Sequence, residues 1–401
     1  MVRWPSIWNA LLRGWLMVSM MVSFRLRAFI VWMVVTLRRV FVSPWPSLNV
    51  FLAGIPWLAW FSLPPFTKRM ARQILSCSLL SVCLLFASCG QRSDQIVFKY
   101  GNEQPEAALR SQSMLYFKEQ LEKETQGRIK VELFFGGVLG NERELMDLVA
   151  TGGIQGTRGG FFADANPKFN LFTLPFLVDD WDQAIRLVNS SFMESVNADA
   201  KARGFHIPAT GISQGFRAHT NNKHPIKHPD DLKGLKMRVP SQEVYVQTAR
   251  AFGANPQEIS YIEVYQALQT GVVDGQDNAP SNIWDFKVFE VSKYLTISNY
   301  ATGPDPFMVN LTWYESLPSE LQKIFDAVAK KTMELSDRLN REKEGEFIDQ
   351  LSQKLEVNTL SGEDLEPFRQ AVEPVYQYFV AKGDFSFEDI KQARRAARRG
   401  E

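Results

Sequence analysis

The last cysteine of the chain, Cys89, ends an apolar run, and its position constrains everything that follows. Residues 74–86 are mostly apolar, basic residues precede them, and two small residues lie directly before Cys89. A basic segment, an apolar core and a small-residue cleavage site are typical of a secretory leader. The other two cysteines, Cys77 and Cys83, lie inside this segment. Cleavage before Cys89 would leave one thiol, so a disulfide framework is excluded.

The residues around Cys89 resemble the lipobox of bacterial lipoproteins. Residues 84–90 read Leu-Leu-Phe-Ala-Ser-Cys-Gly, with Phe86 where that motif usually has leucine. The resemblance implies that residues 70–88 are a signal peptide and that Cys89 carries a lipid anchor. The remainder is then expected to lie in the periplasm, or otherwise outside the cytoplasm, at a membrane surface. The alternative is an ordinary signal peptide with a chance cysteine.

Residues 1–69 fit nothing downstream. They hold seven of the ten tryptophans, and no Asp or Glu occurs before Asp94. A membrane-spanning helix needs about 20 apolar residues. The most apolar stretch, residues 16–35, contains Arg25 and Arg27, and charged side chains are energetically costly near the centre of a bilayer. We interpret residues 1–69 as an upstream extension from a start codon assigned too early, with translation beginning at Met70. The alternative is a membrane-associated extension.

Charge and length bound the part of the chain that follows the leader. Nine of the 45 basic residues precede Cys89, which leaves 36 against 44 acidic residues and a net charge of −8. A net acidic chain argues against nucleic acid as a partner. The 313 residues from Cys89 onward are enough for two α/β lobes and too many for one compact core.

Strand and helix patterns alternate along these residues, which predicts βαβ units around a largely parallel sheet. Strands are predicted at 96–100, 128–135, 205–212, 236–239, 272–275 and 306–313, and helices at 106–125, 142–149, 181–203, 242–252, 261–270 and 320–355.

We predict two lobes from this order of elements. Lobe I is discontinuous, with residues 96–216 plus 306–390, and lobe II comprises residues 217–305. Residues 89–95 form a tether, and residues 391–401 form a basic tail that we interpret as a frayed helix. The long helix has the length to span both lobes, since a helix rises about 1.5 Å per residue; the alternative is a solvated packing helix.

Two segments of lobe II place polar residues where short strands end. In residues 231–240 (Asp-Leu-Lys-Gly-Leu-Lys-Met-Arg-Val-Pro), a short strand delivers Arg238 to its carboxyl edge. Residues 265–278 repeat the order of helix, glycine stop, short strand and polar residues, and end at Asn278. Ligands of open α/β sheets bind at such edges.

These segments resemble the DctP-type solute-binding subunits of TRAP transporters, and the resemblance extends over about residues 98–373. It includes residues 136–145, 174–176 and 215–217. It implies an α/β, two-lobed fold like that of periplasmic binding proteins, with a cleft between the lobes and a long helix spanning them. Members are extracytoplasmic receptors, not enzymes, that use no cofactor and pass organic acids to a membrane permease.

The resemblance also implies the ligand-binding residues. Arg238 is expected to bind the ligand carboxylate, because a guanidinium matches a carboxylate in a bidentate pair. Arg217 matches a second basic ligand residue, Asn278 an asparagine that reaches the ligand, and Tyr261 an aromatic contact. Glu103, at the exit of the first strand, faces the cleft in this family. The alternatives are ordinary structural roles: a surface ion pair, a brace at the lobe crossing, a helix cap and a core tyrosine.

The glycine-rich residues 151–160 depart from the family pattern. Their glycines permit close approach of a ligand, and Arg158 is expected to add a third cation or to face solvent. The histidines His219, His224 and His228 lie in a proline-kinked loop without a completing cysteine or carboxylate, so we predict no metal site. The remaining alternatives are an extracytoplasmic enzyme that uses Glu103 for acid–base chemistry, and a structural lipoprotein without a ligand.

Overall fold

The computed structural model describes residues 95–160, 162–212 and 214–399. Residues 1–94, which include Cys89 and the leader, lie outside the described part. The strands are β1 Ile96–Gly101, β2 Ile129–Phe134, β3 Gly156–Arg158, β4 Phe205–His206, β5 Thr210–Ile212, β6 Ala218–Asn221, β7 Lys236–Val239, β8 Asn255–Glu258, β9 Gly275–Asn278, β10 Tyr294–Ile297, β11 Pro304–Asn310 and β12 Glu356–Thr359.

The α-helices are α1 Leu109–Glu124, α2 Glu142–Thr151, α3 Phe162–Ala165, α4 Trp181–Val188, α5 Ser191–Asp199, α6 Glu243–Ala251, α7 Val264–Gln269, α8 Pro280–Asp285, α9 Leu311–Ser316, α10 Ser319–Ser352, α11 Glu366–Ala371, α12 Glu373–Lys382 and α13 Phe387–Arg399. Short 3₁₀ helices cover Pro167–Thr173, Ala200–Arg203, Pro229–Leu232, Tyr261–Glu263, Val288–Val291 and Gly362–Leu365.

The described strands form two six-stranded sheets, which confirms the two-lobed α/β fold. In the first sheet the order is β2-β1-β3-β11-β4, with β5 also paired to β11; in the second it is β12-β10-β6-β9-β7-β8. Both sheets are mixed rather than largely parallel. β1 is parallel to β2 and β3, but β11 runs antiparallel to all three of its partners. In the second sheet β6 is antiparallel to β9 and β10.

The chain passes between the two sheets several times. It leaves the first sheet after β5, returns at β11, and then sends β12 back to the second sheet, where it pairs in parallel with β10. The prediction had left Glu356–Thr359 in lobe I. That prediction is wrong because β12 completes the edge of the lobe II sheet.

The long helix α10 contacts both lobes, as predicted. Its first half lies in the aromatic core of lobe I, where Phe325 packs edge-on against Phe98 and Phe117. Its last turn places Leu351 in the core of lobe II, together with Leu295. None of the described helices, α10 included, is both long and apolar enough to cross a membrane.

Two predicted elements are divided in the structure. The helix predicted over 181–203 breaks at Ser190, whose hydroxyl caps the next helix by accepting from the Met193 amide at 3.3 Å. The strand predicted over 205–212 becomes β4 and β5, and Pro208, which has no amide hydrogen to donate to a ladder, lies between them.

The basic tail is not a frayed helix. Helix α13 is ordered up to Arg399, and its alanine face, with Ala393 and Ala396, is buried. Arg186 of α4 fixes it further, since its Nε donates to the Ala397 carbonyl at 2.6 Å. The basic residues Lys391, Arg394, Arg395 and Arg398 lie on the opposite, exposed face.

A substitution at Gly275, the first residue of β9, tests the packing of the lobe II sheet. A methyl group at Gly275 would lie 2.3 Å from the Thr220 carbonyl oxygen and 2.8 Å from the Met237 sulfur. Overpacking of this kind costs about 1–3 kcal/mol, and a chain of this size loses about 2–4 °C of Tm per kcal/mol. We expect Gly275→Ala to lower the Tm by several degrees in thermal unfolding.

The matched control is Gly345→Ala. Gly345 is exposed in the last third of α10, with open space where a methyl group would lie. Glycine in a helix interior costs about 0.5–1 kcal/mol relative to alanine, so this variant should raise the Tm slightly. A Gly275→Ala protein as stable as the parent would contradict the described packing of β6, β7 and β9.

Candidate functional site

A polar cavity lies between the two lobes. Its volume is about 510 Å³ including the open mouth. Both lobes supply its wall, with Glu103, Gln104, Arg110, Glu142, Gly160 and Phe162 from lobe I, Arg217, Arg238, Pro240, Gln242, Tyr245, Tyr261, Asn278 and Asn282 from lobe II, and Gln214 and Pro304 from the crossing segments.

Strand β7 presents Arg238 to this cavity. The strand lies between β8 and β9, and Arg238 is only 2 % exposed. Its Nε donates to the Ile259 carbonyl at 2.7 Å, and its guanidinium lies over the Tyr261 ring at 4.9 Å. Its Nη1 is buried and has no hydrogen-bond partner among the described residues. Burial lowers the pKa of Arg238, as expected for a buried cation without an adjacent counter-ion.

The second cavity arginine, Arg217, is already paired. Its Nε bonds the Asp277 carboxylate, its Nη2 donates to the Asp277 carbonyl at 2.7 Å, and its guanidinium lies 4.4 Å from the centre of the Tyr245 ring. Burial favours a lower pKa for Arg217, but the Asp277 carboxylate outweighs burial and raises the pKa well above the ordinary value. Arg217 and Asp277 therefore form a neutral unit inside the wall.

Strand β9 was predicted three residues too early, at 272–275. The observed strand is Gly275–Asn278, so Asp277 and Asn278 belong to the strand itself and are buried in the sheet. The apolar pair that suggested the earlier strand, Val272 and Val273, precedes it. The shift matters because it places the acid that neutralises Arg217.

A chain of amide side chains joins the two lobes beside the cavity. Gln104 of lobe I donates from Nε2 to the Asn282 Oδ1 at 2.9 Å. The Asn282 Nδ2 donates in turn to the Gln214 Oε1 at 2.9 Å and to the Asn278 Oδ1 at 2.8 Å. Because the Asn278 Oδ1 is held in this way, its NH₂ group is the part that can donate to a ligand.

Two acids and an arginine line the lobe I side. The Glu142 amide, in the first turn of α2, donates to the Glu103 Oε2 at 2.8 Å. Burial and the neighbouring Glu142 carboxyl raise the pKa of Glu103 to about 8, and burial also raises the pKa of Glu142. Arg110 lies between Glu142 at 4.0 Å and Asp305 at 3.6 Å. Glu103 is therefore largely protonated at neutral pH.

The cavity brings together five of the six predicted ligand-binding residues, namely Arg238, Arg217, Asn278, Tyr261 and Glu103. Arg158 is not among its lining residues. Its side chain is fully buried beneath the cavity, where Nη2 bonds the Asp305 Oδ2 at 2.5 Å and the Ser336 hydroxyl at 2.9 Å. The expected third cation therefore does not reach the cavity, because Asp305 holds it.

The glycine-rich segment accommodates protein side chains rather than open space. Gly159 has φ +70, and a methyl group there would lie 2.8 Å from the Arg110 Nη1; one at Gly160 would lie 3.0 Å from the Glu142 Cβ. The glycines thus let Arg110 and Glu142 approach the β3 strand end.

Sequence reasoning missed Arg110, Glu142 and Asp277 as site residues. Glu142 and Asp277 lie inside segments that carried the family resemblance, and this was the only signal for them. Arg110 lies in an ordinary amphipathic helix and gave none. Each becomes a site residue through a partner distant in the sequence, such as Arg217 for Asp277, 60 residues apart.

The histidines have structural surroundings. His219, on β6, stacks on the Tyr300 ring at 4.9 Å, and burial lowers its pKa to about 4. His228 caps the 3₁₀ helix Pro229–Leu232. Within the described ranges, no group of three or more His, Cys, Asp or Glu side chains is placed to hold a metal ion.

Residues 100–383 match the family described as bacterial extracellular solute-binding protein, family 7, or DctP. The chain belongs to this family. It is 30% identical over 235 residues to the 2,3-diketo-L-gulonate-binding periplasmic protein YiaO of Escherichia coli, covering 58% of this chain and 71% of that protein. Members of the family are substrate-binding receptors and not enzymes.

The chain is also similar in fold to solved structures of solute-binding proteins. The chain is similar to the sugar acid binding protein DctPAm of Advenella mimigardefordensis in complex with galactonate, with TM-score 0.72 and 26% identity over 76% of this chain and 98% of that one. It is also similar to a TRAP periplasmic solute-binding protein of Shewanella oneidensis with bound succinate, with TM-score 0.72 and 25% identity over 76% and 99% of the two chains.

The raised pKa of Glu103 predicts a pH-dependent stability. Between pH 4.5 and about 8 the folded protein retains a proton that the unfolded chain releases, so stability falls as pH rises through this window. One such proton contributes at most about 1.4 kcal/mol per pH unit. We expect Glu103→Gln, which keeps an acceptor for the Glu142 amide, to make the decline of the free energy of unfolding shallower.

The measurement is thermal or chemical unfolding from pH 5 to pH 9. Other buried acids, such as Asp337, titrate in both proteins, so the difference between the two curves isolates Glu103. The control is Glu119→Gln, at an exposed position of α1. Parallel curves for the parent and Glu103→Gln would contradict a protonated Glu103.

Proposed function

We propose that this protein is an extracytoplasmic receptor that captures a small organic acid between its lobes and delivers it to a TRAP-type membrane permease. The observation that carries the proposal is Arg238, a buried residue of the cavity wall whose Nη1 has no hydrogen-bond acceptor among the described residues. A buried donor without a partner costs about 1–3 kcal/mol, more when it is charged. A ligand carboxylate would remove that cost.

In the proposed complex, one carboxylate accepts from Arg238, whose Nη1 has no protein acceptor in the described ranges. Arg217 lines the same space but is neutralised by Asp277, so it contributes donors rather than net charge. The Asn278 NH₂ group donates from β9, and the Tyr261 ring packs against the bound group beneath Arg238. Exclusion of water by the closed lobes strengthens the ion pair, because Coulomb attraction grows as the local dielectric falls.

The ligand would enter while the cleft is open, and a hinge movement of the lobes would then close the cleft around it, as in other periplasmic receptors. Two crossing segments, between β5 and β6 and between β10 and β11, connect the sheets and hydrogen-bond to each other through the Arg217 amide and the Ala301 carbonyl at 2.8 Å. We assign lobe I to residues 96–216 plus most of 306–390, and lobe II to residues 217–305 plus β12. The hydrogen bond between Gln104 of lobe I and Asn282 of lobe II would then form only when the lobes are closed.

The receptor is proposed to be held at the membrane by a lipid on Cys89, after removal of residues 70–88. Residues 89–95 then form the tether, and residues 1–69 are not translated. The support is the lipobox-like sequence, since the leader lies outside the described residues. An anchored receptor stays close to the permease that it serves.

Replacing Arg238 tests the carboxylate site. We expect Arg238→Ala to raise the Kd for the acid by roughly two to three orders of magnitude, because a carboxylate would be buried without its partner, at a cost of about 3–5 kcal/mol. Arg238→Lys keeps the charge but loses the planar fork and should bind with intermediate affinity. Titration calorimetry measures both, after a thermal-shift screen of organic acids identifies a ligand.

Arg250→Ala is the matched control, since Arg250 is exposed on α6 of the same lobe. Unchanged affinity in Arg238→Ala would remove the central assignment. The alternative function, an enzyme that uses the protonated Glu103 as a general acid, is favoured only by the raised pKa of that group. Recovery of the acid chemically unchanged after long incubation is expected of the receptor and would exclude turnover.

The anchor has its own test. We expect cells expressing the full chain to incorporate labelled palmitate into the protein, and Cys89→Ser to abolish the label and release the protein into the soluble extracytoplasmic fraction. Mass spectrometry of the native protein locates its first residue. A peptide from residues 1–69 in the mature protein, or a label that survives Cys89→Ser, would contradict this part of the proposal.

A further inference from the structure

We infer that the ligand carries one carboxylate and several hydroxyl groups, as a sugar acid does, and that the cavity discriminates against dicarboxylates. This inference rests on the proposed receptor function and narrows its ligand class. The geometry points to it because the cavity has one guanidinium without a carboxylate partner, whereas its lobe I wall carries two acids and much of the remaining lining consists of amides.

The charges around the cavity leave room for one negative charge. Four buried arginines lie at or beneath its wall, and three of them face a carboxylate, in the pairs Arg217–Asp277, Arg158–Asp305 and Arg110–Glu142. Arg238 is the fourth, and its contacts are a carbonyl and an aromatic ring. One ligand carboxylate balances Arg238, and a second would have no cation left to pair with among the described lining residues.

The two acids of the lobe I wall would also repel a second ligand carboxylate, in addition to its lack of a cation. Glu103 and Glu142 lie together on the lobe I wall, joined by the bond from the Glu142 amide to Glu103. Their mutual proximity and burial already raise the pKa of Glu103 to about 8. Another carboxylate beside them would be repelled by whichever of the two is ionised. A hydroxyl group carries no charge and can donate to one acid while it accepts from the other.

The amide lining fits hydroxyl groups for the same reason. Amide side chains form much of the lining, and the Asn278 NH₂ group is a donor in it, since the Asn278 Oδ1 is held by Asn282. The Gln242 Oε1 is a buried acceptor without a hydrogen-bond partner in the described ranges. A carboxylate, which only accepts, cannot satisfy it, but a hydroxyl can.

Matched ligands test the inference at pH 7 by titration calorimetry. Aldonates of four to six carbons (erythronate, xylonate, gluconate and galactonate) are compared with the aldarates of the same carbon skeleton (meso-tartrate, xylarate, glucarate and galactarate). Butyrate, hexanoate and succinate lack the hydroxyls, and sorbitol and galactitol lack the carboxylate. We expect the best aldonate to bind about a hundredfold more tightly than its own aldarate, because like charges are costly when juxtaposed, and at least tenfold more tightly than the alkanoates.

A variant assigns the discrimination to the acid pair. We expect Glu142→Gln, which removes a charge at nearly constant shape, to lower the ratio of aldonate to aldarate affinity at least tenfold. Glu119→Gln makes the same charge change at an exposed site and should leave the ratio unaltered. The Tm of each variant without ligand verifies that it is folded.

The outcomes separate the inference from the receptor function. An aldarate or succinate that binds as tightly as every aldonate, or a ratio that Glu142→Gln leaves unchanged, would overturn the inference and leave the receptor proposal standing. Hexanoate equal to gluconate would overturn the hydroxyl requirement alone. If polyols bind and no acid in the panel does, the proposed function fails and the inference fails with it.

Discussion

Burial of positive charge between two lobes is the constraint on which the cavity depends. A guanidinium removed from water needs a counter-charge or acceptors for its donors. Arg158 and Arg217 meet that need within the protein, through Asp305 and Asp277. Arg238 meets it only in part, with a carbonyl and an aromatic ring. Nη1 of Arg238 is therefore a buried donor without a protein partner in the described ranges, on a residue that lines the cavity.

In this fold, the residues that support the cavity wall are different from the residues that line it. Beneath the cavity, Arg158 ties β3 to β11 through Asp305 and to the long helix through Ser336. These bonds hold Arg158 in a buried layer under the lobe I wall, in which the Arg158 Nε and the Asp305 Oδ1 have no hydrogen-bond partner among the described residues. In lobe II, β7 and β9 run in parallel and adjacent, and their carboxyl ends bring Arg238 and Asn278 to one edge. Beside the cavity, the hydrogen bond from Gln104 to Asn282 joins the two walls, and the proposed opening of the cleft would break it.

The sequence predicts those features of the fold and the site that neighbouring residues determine, and it does not predict those that depend on distant partners. Strand β7 lies between Gly234 and Pro240, so a few neighbouring residues determine its bounds, and the predicted strand at 236–239 is confirmed. Strand β9 was predicted too early because its buried residues are polar; their pairing with β6 and Arg217, not their own propensity, places them in a strand. The same reason explains Arg158, whose partner Asp305 is 147 residues away. Local patterns do not reveal which cations a distant carboxylate will neutralise.

The placement of Glu103 near Arg238 raises the question of why the protein's own acid does not take the role of the ligand. No ion pair within 4.0 Å joins the two among the described residues, and burial together with Glu142 makes ionisation of Glu103 unfavourable. A proton therefore neutralises Glu103 more cheaply than a distant guanidinium does. A soluble carboxylic acid, which is ionised in water above about pH 5, would enter already charged and bring its counter-charge directly to Arg238. Protonated Glu103 thus leaves Arg238 available to the ligand, while Glu142 keeps the charge that faces Arg110.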